Sequence, residues 1–132
     1  FELNQMDIEG VDGTCFYVEE EGLPPYDELI YVANRDTMDK DMIARFLAAT
    51  EKATQYIVNH PEESWEVFAA TSADLQDELN ARAWKDTLPR FALRPTAMDA
   101  GRYATFETFL HDAGLIPDIS PVSTIAIDVT AR

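Results

Sequence analysis

Cysteine occurs once in these 132 residues, at Cys15, which excludes an internal disulfide framework and a multi-cysteine zinc site within one chain. Cations are few: 10 Lys and Arg stand against 25 Asp and Glu, a formal net charge of −15. That balance repels nucleic-acid phosphates and anionic membrane surfaces and favours solubility. No apolar run approaches the roughly 20 residues that span a bilayer. Absent too are a G-x-S-x-G elbow, a phosphate-binding glycine loop, an H-E-x-x-H pair and paired cysteines at metal spacing. No catalytic residue, metal ligand or cofactor is therefore assigned. No repeat, low-complexity segment or domain-separating linker interrupts the sequence, and its length fits one domain.

What is present is an apolar run followed by strong helical patterning. Leu29, Ile30, Tyr31, Val32 and Ala33 form the near-continuous apolar pattern of a strand buried on both faces of a parallel sheet, placed at Glu28 to Asn34. Before it, Met6 to Asp27 reads as an extended connector, with Thr14 to Val18 as a possible short strand. The run Glu19, Glu20, Glu21, Gly22 and the pair Pro24, Pro25 mark a turn that delivers the chain into the strand.

Beyond the strand, the spacing of Met42, Ile43, Phe46, Leu47, Ala53, Ile57 and Val58 predicts an amphipathic helix over about 39–59, capped by Asp36 or Thr37. Pro61, tolerated as a first helical residue, opens a second helix to about Thr71 that buries Trp65 and Phe68. Ser72 caps a third, carrying Leu75, Leu79, Ala83 and Trp84 and ended or kinked by Pro89. Thr96 opens a fourth, about Ala97 to Ala113, striped by Tyr103, Phe106, Phe109 and Leu110 and stopped by Gly114. The apolar Ile125 to Ile127 is left as a short strand or an extended arm.

Few side chains suggest chemistry. His60 precedes a proline at a helix junction and His111 adjoins Asp112; both read as structural or solvated, and one such pair makes no enzyme. Glu19 to Glu21 reads as a solvated acidic turn, since consecutive residues do not converge on a cation. Cys15 as a nucleophile has no histidine placed near it. The aromatics Trp65, Phe68, Trp84, Phe106 and Phe109 could stack on a flat ligand, but their helical spacing favours core packing. Glu2, set between Phe1 and Leu3, can accept hydrogen bonds from an amino-heterocycle.

The segments FELNQM, LPPYDELIYVANRDTM, IARFLAATEKATQYIVNHPEESWEVF and ATFETFLHDAGLI together resemble the C-terminal part of bacterial solute-binding proteins related to thiamine-pyrimidine biosynthesis. The resemblance covers nearly the whole chain. It implies the C-terminal portion of a two-lobed periplasmic-binding-protein-like (type II) α/β fold, helix-rich, with one buried strand followed by about four helices. Residues 1–27 would be a hinge-proximal segment and connector, and 28–132 the C-terminal part of the first lobe. The chain begins Phe1, Glu2, Leu3, Asn4 with neither a methionine nor a signal-peptide pattern, a start that suits a mature protein trimmed by a signal peptidase or a fragment; the resemblance implies that most partners of the strand precede Phe1.

The same resemblance implies a non-enzymatic component of an ABC importer, periplasmic or extracytoplasmic, that binds a formylaminopyrimidine or hydroxymethylpyrimidine precursor of thiamine, or a similar small solute, and hands it to a permease. It places Glu2 against the aminopyrimidine and Phe1 beside it. The fungal pyrimidine synthases share this fold but carry a cysteine cluster, a histidine and pyridoxal phosphate; here Gly13, Thr14, Cys15, Phe16 offers one cysteine, which lowers that enzyme reading. A stand-alone helical interaction module is the other alternative. Self-association of the chain through its strand is also expected, because unpaired strand edges recruit other strands.

Overall fold

Three of the five helices begin on an aspartate that caps them. In the computed structural model, which describes residues 1–129, Asp39 accepts from the Met42 amide at 2.9 Å, Asp77 from Asn80 at 2.7 Å and Asp99 from Arg102 at 3.0 Å. Each satisfies one of the orphan amides of a helix start and sets a negative charge at the positive end of the dipole. The helices are α1 (Glu2–Ile8), α2 (Lys40–Asn59), α3 (Pro61–Ala69), α4 (Glu78–Thr87) and α5 (Ala100–Asp112), with 3₁₀ turns after α3 at Ala73–Leu75, after α4 at Leu88–Arg90 and after α5 at Val122–Thr124.

The predicted helices are present with revised starts. Asp39 caps α2 rather than Asp36 or Thr37, and Asp99 caps α5 rather than Thr96. Ser72 does accept from Asp74 N but caps only the 3₁₀ turn; α4 starts at Glu78. Pro61 is the first residue of α3, where its missing N–H costs no hydrogen bond. The α5 stop is a Schellman motif: Gly114 at φ +70° donates to His111 O and Leu115 donates to Leu110 O. The same motif at Gly10, with Val11 donating to Met6 O, ends α1, a helix that the sequence reading placed in no element.

The buried strand is not there. Glu28 to Asn34 has no strand pairing, and no strand occurs among the described residues. Leu29 is 95% exposed and Val32 85%, so the run that suggested two buried faces lies open on both. A strand is held by ladder hydrogen bonds to a neighbouring segment, and the described residues supply no such neighbour. Thr14 to Val18 is likewise irregular, with Phe16 74% exposed, while Tyr17 to Leu23 closes the expected turn through Leu23 N donating to Val18 O. Ile125 to Ile127 follows a 3₁₀ turn and forms no strand. The fold is thus helical, with no sheet among the described residues.

The chain gathers into two compact units, Phe1–Cys15 with Ala49–Arg94, and Phe16–Ala48 with Pro95 onward. In the first, Trp65, Phe68 and Trp84 cluster, with Phe68 stacked on Trp84 at 5.3 Å and the Trp84 indole N–H donating to Pro61 O at 3.1 Å. In the second, Tyr26 stacks on Phe106 at 4.8 Å, and Phe106 in turn on Phe109. Ala69 is the one buried hydrophobic residue among those described, so these clusters are half-covered packing rather than a closed core. Trp65 and Trp84 are half-buried and Phe68 is exposed, short of the burial that their spacing predicts.

Candidate functional site

Phe1 and Glu2 stand at the head of α1. Its seven residues are too few to hold a helix alone in water, and α4 supplies the support. Arg82 of α4 donates to Asp7 and to Glu78, and Asn4 donates to Asp86 at 2.6 Å. Hydrogen bonding to Asp7 first, then to Glu78, raises the Arg82 guanidinium above its ordinary range. At the opposite end, the Glu2 side chain is 88% exposed and lies 3.8 Å from the Phe1 amino group. Glu2 is therefore presented to solvent on a tethered helix, and Phe1 beside it is exposed as well.

Two clefts lie elsewhere. In the first unit, Pro61, Glu62, Trp65 and Glu66 of α3 and Ala81, Trp84 and Lys85 of α4 line an open cleft of about 380 Å³, at the small end of the range for ligand sites. In the second, Tyr26, Asp27, Ile30, Arg102, Tyr103 and Phe106 surround about 180 Å³. Arg102 donates to Asp27 there at 2.6 Å. Burial, and then the Asp27 carboxylate, raise the Tyr103 phenol above the usual tyrosine range, against a smaller opposing effect of Arg102. Neither cleft contains Phe1 or Glu2; the helical spacing of Trp65, Trp84, Tyr103 and Phe106 points to packing, and Tyr26 carries no assignment from sequence. The lining was not legible because it depends on which segments meet in space.

The remaining candidates stay apart. Cys15 is exposed, Glu19 to Glu21 lie exposed in their turn, and no group of three or more His, Cys, Asp or Glu among the described residues is placed to hold a metal ion. His60 precedes α3, stacked on Tyr56 at 4.4 Å and 3.9 Å from Glu63. His111 pairs with its neighbour Asp112 at 3.3 Å. Both are solvated surface groups. No helix among the described residues is long and apolar enough to cross a membrane.

Comparison with known proteins gives this geometry a setting. A family described as NMT1/THI5 like matches residues 1–64, the segment that holds α1, the Glu28 to Asn34 run and α2. Over 130 residues the chain is 41% identical to a protein of Haemophilus influenzae whose name places it, provisionally, in thiamine biosynthesis. The alignment takes in 98% of this chain and 41% of that relative, so the chain spans about two fifths of the length of the curated relative it matches. No solved structure matches it. The likeness read from FELNQM and the segments after it is thereby borne out: the chain is similar to NMT1/THI5-like proteins over residues 1–64 and, over 130 residues, to a relative named for thiamine biosynthesis.

Proposed function

We propose that this chain is one portion of a solute-binding protein that captures a small aminopyrimidine precursor of thiamine outside the cytoplasm and delivers it to an ABC permease. The observation that carries the reading is the 41% identity to the H. influenzae protein across 98% of the chain. The Glu2 carboxylate is the ligand contact: it can accept two hydrogen bonds from the exocyclic amine and a protonated ring nitrogen of an aminopyrimidine, with Phe1 against the ring face. An exposed carboxylate cannot hold such a ligand by itself, because water competes for each hydrogen bond. Enclosure of Glu2 would come from sequence beyond these 132 residues.

The surface supports that incompleteness. Two compact bodies of half this mass each would together expose about 8,500 Å², whereas the chain exposes 10195 Å². Leu29, Ile30, Tyr31 and Val32 are all exposed, and contiguous apolar surface of this kind marks an interaction face. In the longer protein this face would be covered by the rest of the polypeptide; in the isolated chain it would drive self-association.

The test is Glu2→Gln in a protein of the relative's full length that carries this sequence. Loss of a charge-assisted hydrogen bond is expected to weaken calorimetric affinity for formylaminopyrimidine by about 1–3 kcal/mol. An unchanged affinity would remove Glu2 from the site.

A further inference from the structure

Both tryptophans of the chain meet at the cleft between α3 and α4, and they meet as a corner. Their ring centroids lie 5.7 Å apart with the planes inclined at 51°. A flat ring sandwiched between two aromatic faces needs those faces parallel and about 7 Å apart, twice the ordinary contact distance between carbon atoms. A tilted pair instead forms a wedge that accepts a rounded group touching both faces. Indole faces carry the negative side of the ring quadrupole and attract cations. Glu62 and Glu66, one helical turn apart on α3, line the same cleft and hold no ion pair with any described residue. They outnumber the single Lys85 ammonium opposite them.

The wedge is fixed from behind. The Trp84 indole N–H donates to Pro61 O, which sets the ring's orientation, and Phe68 stacks on Trp84 without lining the cleft. The cleft thus combines a preset aromatic corner, two unpaired carboxylates and an open mouth.

We propose that this cleft binds a methylated ammonium group, seated between Trp65 and Trp84 and neutralised by Glu62 and Glu66. The site is separate from Phe1 and Glu2 and does not depend on the aminopyrimidine reading. Rounded alkylammonium suits the wedge better than ammonium itself, because its weakly hydrated methyl groups leave water readily and pack on the indole faces. Lys85 limits affinity by like-charge repulsion.

The two indole N–H resonances report on this cleft directly, since the chain has no third tryptophan. The full chain is titrated with tetramethylammonium chloride, with sodium chloride holding ionic strength constant, and in parallel with neopentyl alcohol, a neutral body of similar shape. Tetramethylammonium is expected to shift both indole signals saturably, and neopentyl alcohol about fivefold less at equal concentration. The exposed double substitution Glu62→Gln, Glu66→Gln should weaken the apparent affinity about three- to tenfold, and Lys85→Met should tighten it about twofold. Equal responses to the cation and the alcohol, an affinity unchanged in the double variant, or weakening by Lys85→Met would each overturn the assignment.

Discussion

Arg82 donates to Asp7 across 75 residues of sequence, and that contact fastens α1, which carries Phe1 and Glu2 at its head, to α4. A helix of seven residues depends on such tethers. Arg82→Ala should therefore release α1 more than it destabilises the unit as a whole. Exposed ion pairs contribute about 0.2–1 kcal/mol, so the midpoint of unfolding should move little while the amides of residues 5–11 exchange faster. Hydrogen exchange that stays unchanged in this segment would show that α1 is held by something else.

Trp84 joins α4 to α3 through its indole hydrogen bond to Pro61 O and its stack on Phe68. Trp84→Phe keeps the aromatic contact and loses the hydrogen bond, at a cost of about 1 kcal/mol. Trp84→Ala loses both and should cost about 2 kcal/mol, less than the roughly 3–5 kcal/mol typical of a fully buried aromatic. Urea unfolding of the pair, read by circular dichroism, checks the order.

Glu107 is buried in α5 and accepts from the Ser120 amide at 2.6 Å through one oxygen, while its other oxygen has no partner. Glu107→Gln retains an acceptor for Ser120, so it should destabilise less than Glu107→Ala. Glu107→Ala leaves the Ser120 amide without this acceptor, at about 1–3 kcal/mol. Equal effects of the two substitutions would mean that the hydrogen bond carries no stability.

The Tyr103 phenol is raised chiefly by burial and secondarily by Asp27. The unfolded chain therefore loses this proton at lower pH than the folded one. Its contribution is complete below the ordinary tyrosine pKa of about 10 and is lost as pH rises from there through the folded value. Tyr103→Phe removes that dependence. The parent should lose more stability than the variant between pH 9 and about pH 11, measured by urea midpoints, and parallel losses would contradict the shift.

The helices were legible because their signals are local. Apolar residues at three- and four-residue spacing, Pro61 at a helix start and Gly114 at a stop all act within one turn of the chain. Cap positions shifted because Asp36, Thr37 and Thr96 are acceptable caps in type, and the choice between them and Asp39 or Asp99 rests on where the first amide hydrogen bonds close. α1 was missed although Gly10 sits where a helix stop belongs; its short length left too little periodicity to detect. The strand failed for a different reason. Leu29 to Ala33 records a preference for burial, but pairing requires a second segment, and none among the described residues adopts it. The two clefts were illegible because each joins residues distant in sequence, as Asp27 and Arg102 are.

Leu29 and Val32 test what the exposed run does. At 95% and 85% exposure they contribute little to the folded chain, so Leu29→Asp with Val32→Asp should leave its unfolding midpoint unchanged. The same pair should shift the isolated chain toward monomer in light scattering, since apolar patches drive association. A parent chain already monomeric at high concentration would show that this surface is not adhesive.

Calorimetric titration of formylaminopyrimidine into the isolated chain, and into a protein of the relative's full length carrying it, tests the central claim most directly. The longer protein should bind with a single site and the isolated chain at least about a hundredfold more weakly, because an exposed Glu2 offers one hydrogen-bonding group without enclosure. Equally tight binding by both, or no binding by the longer protein, would contradict it.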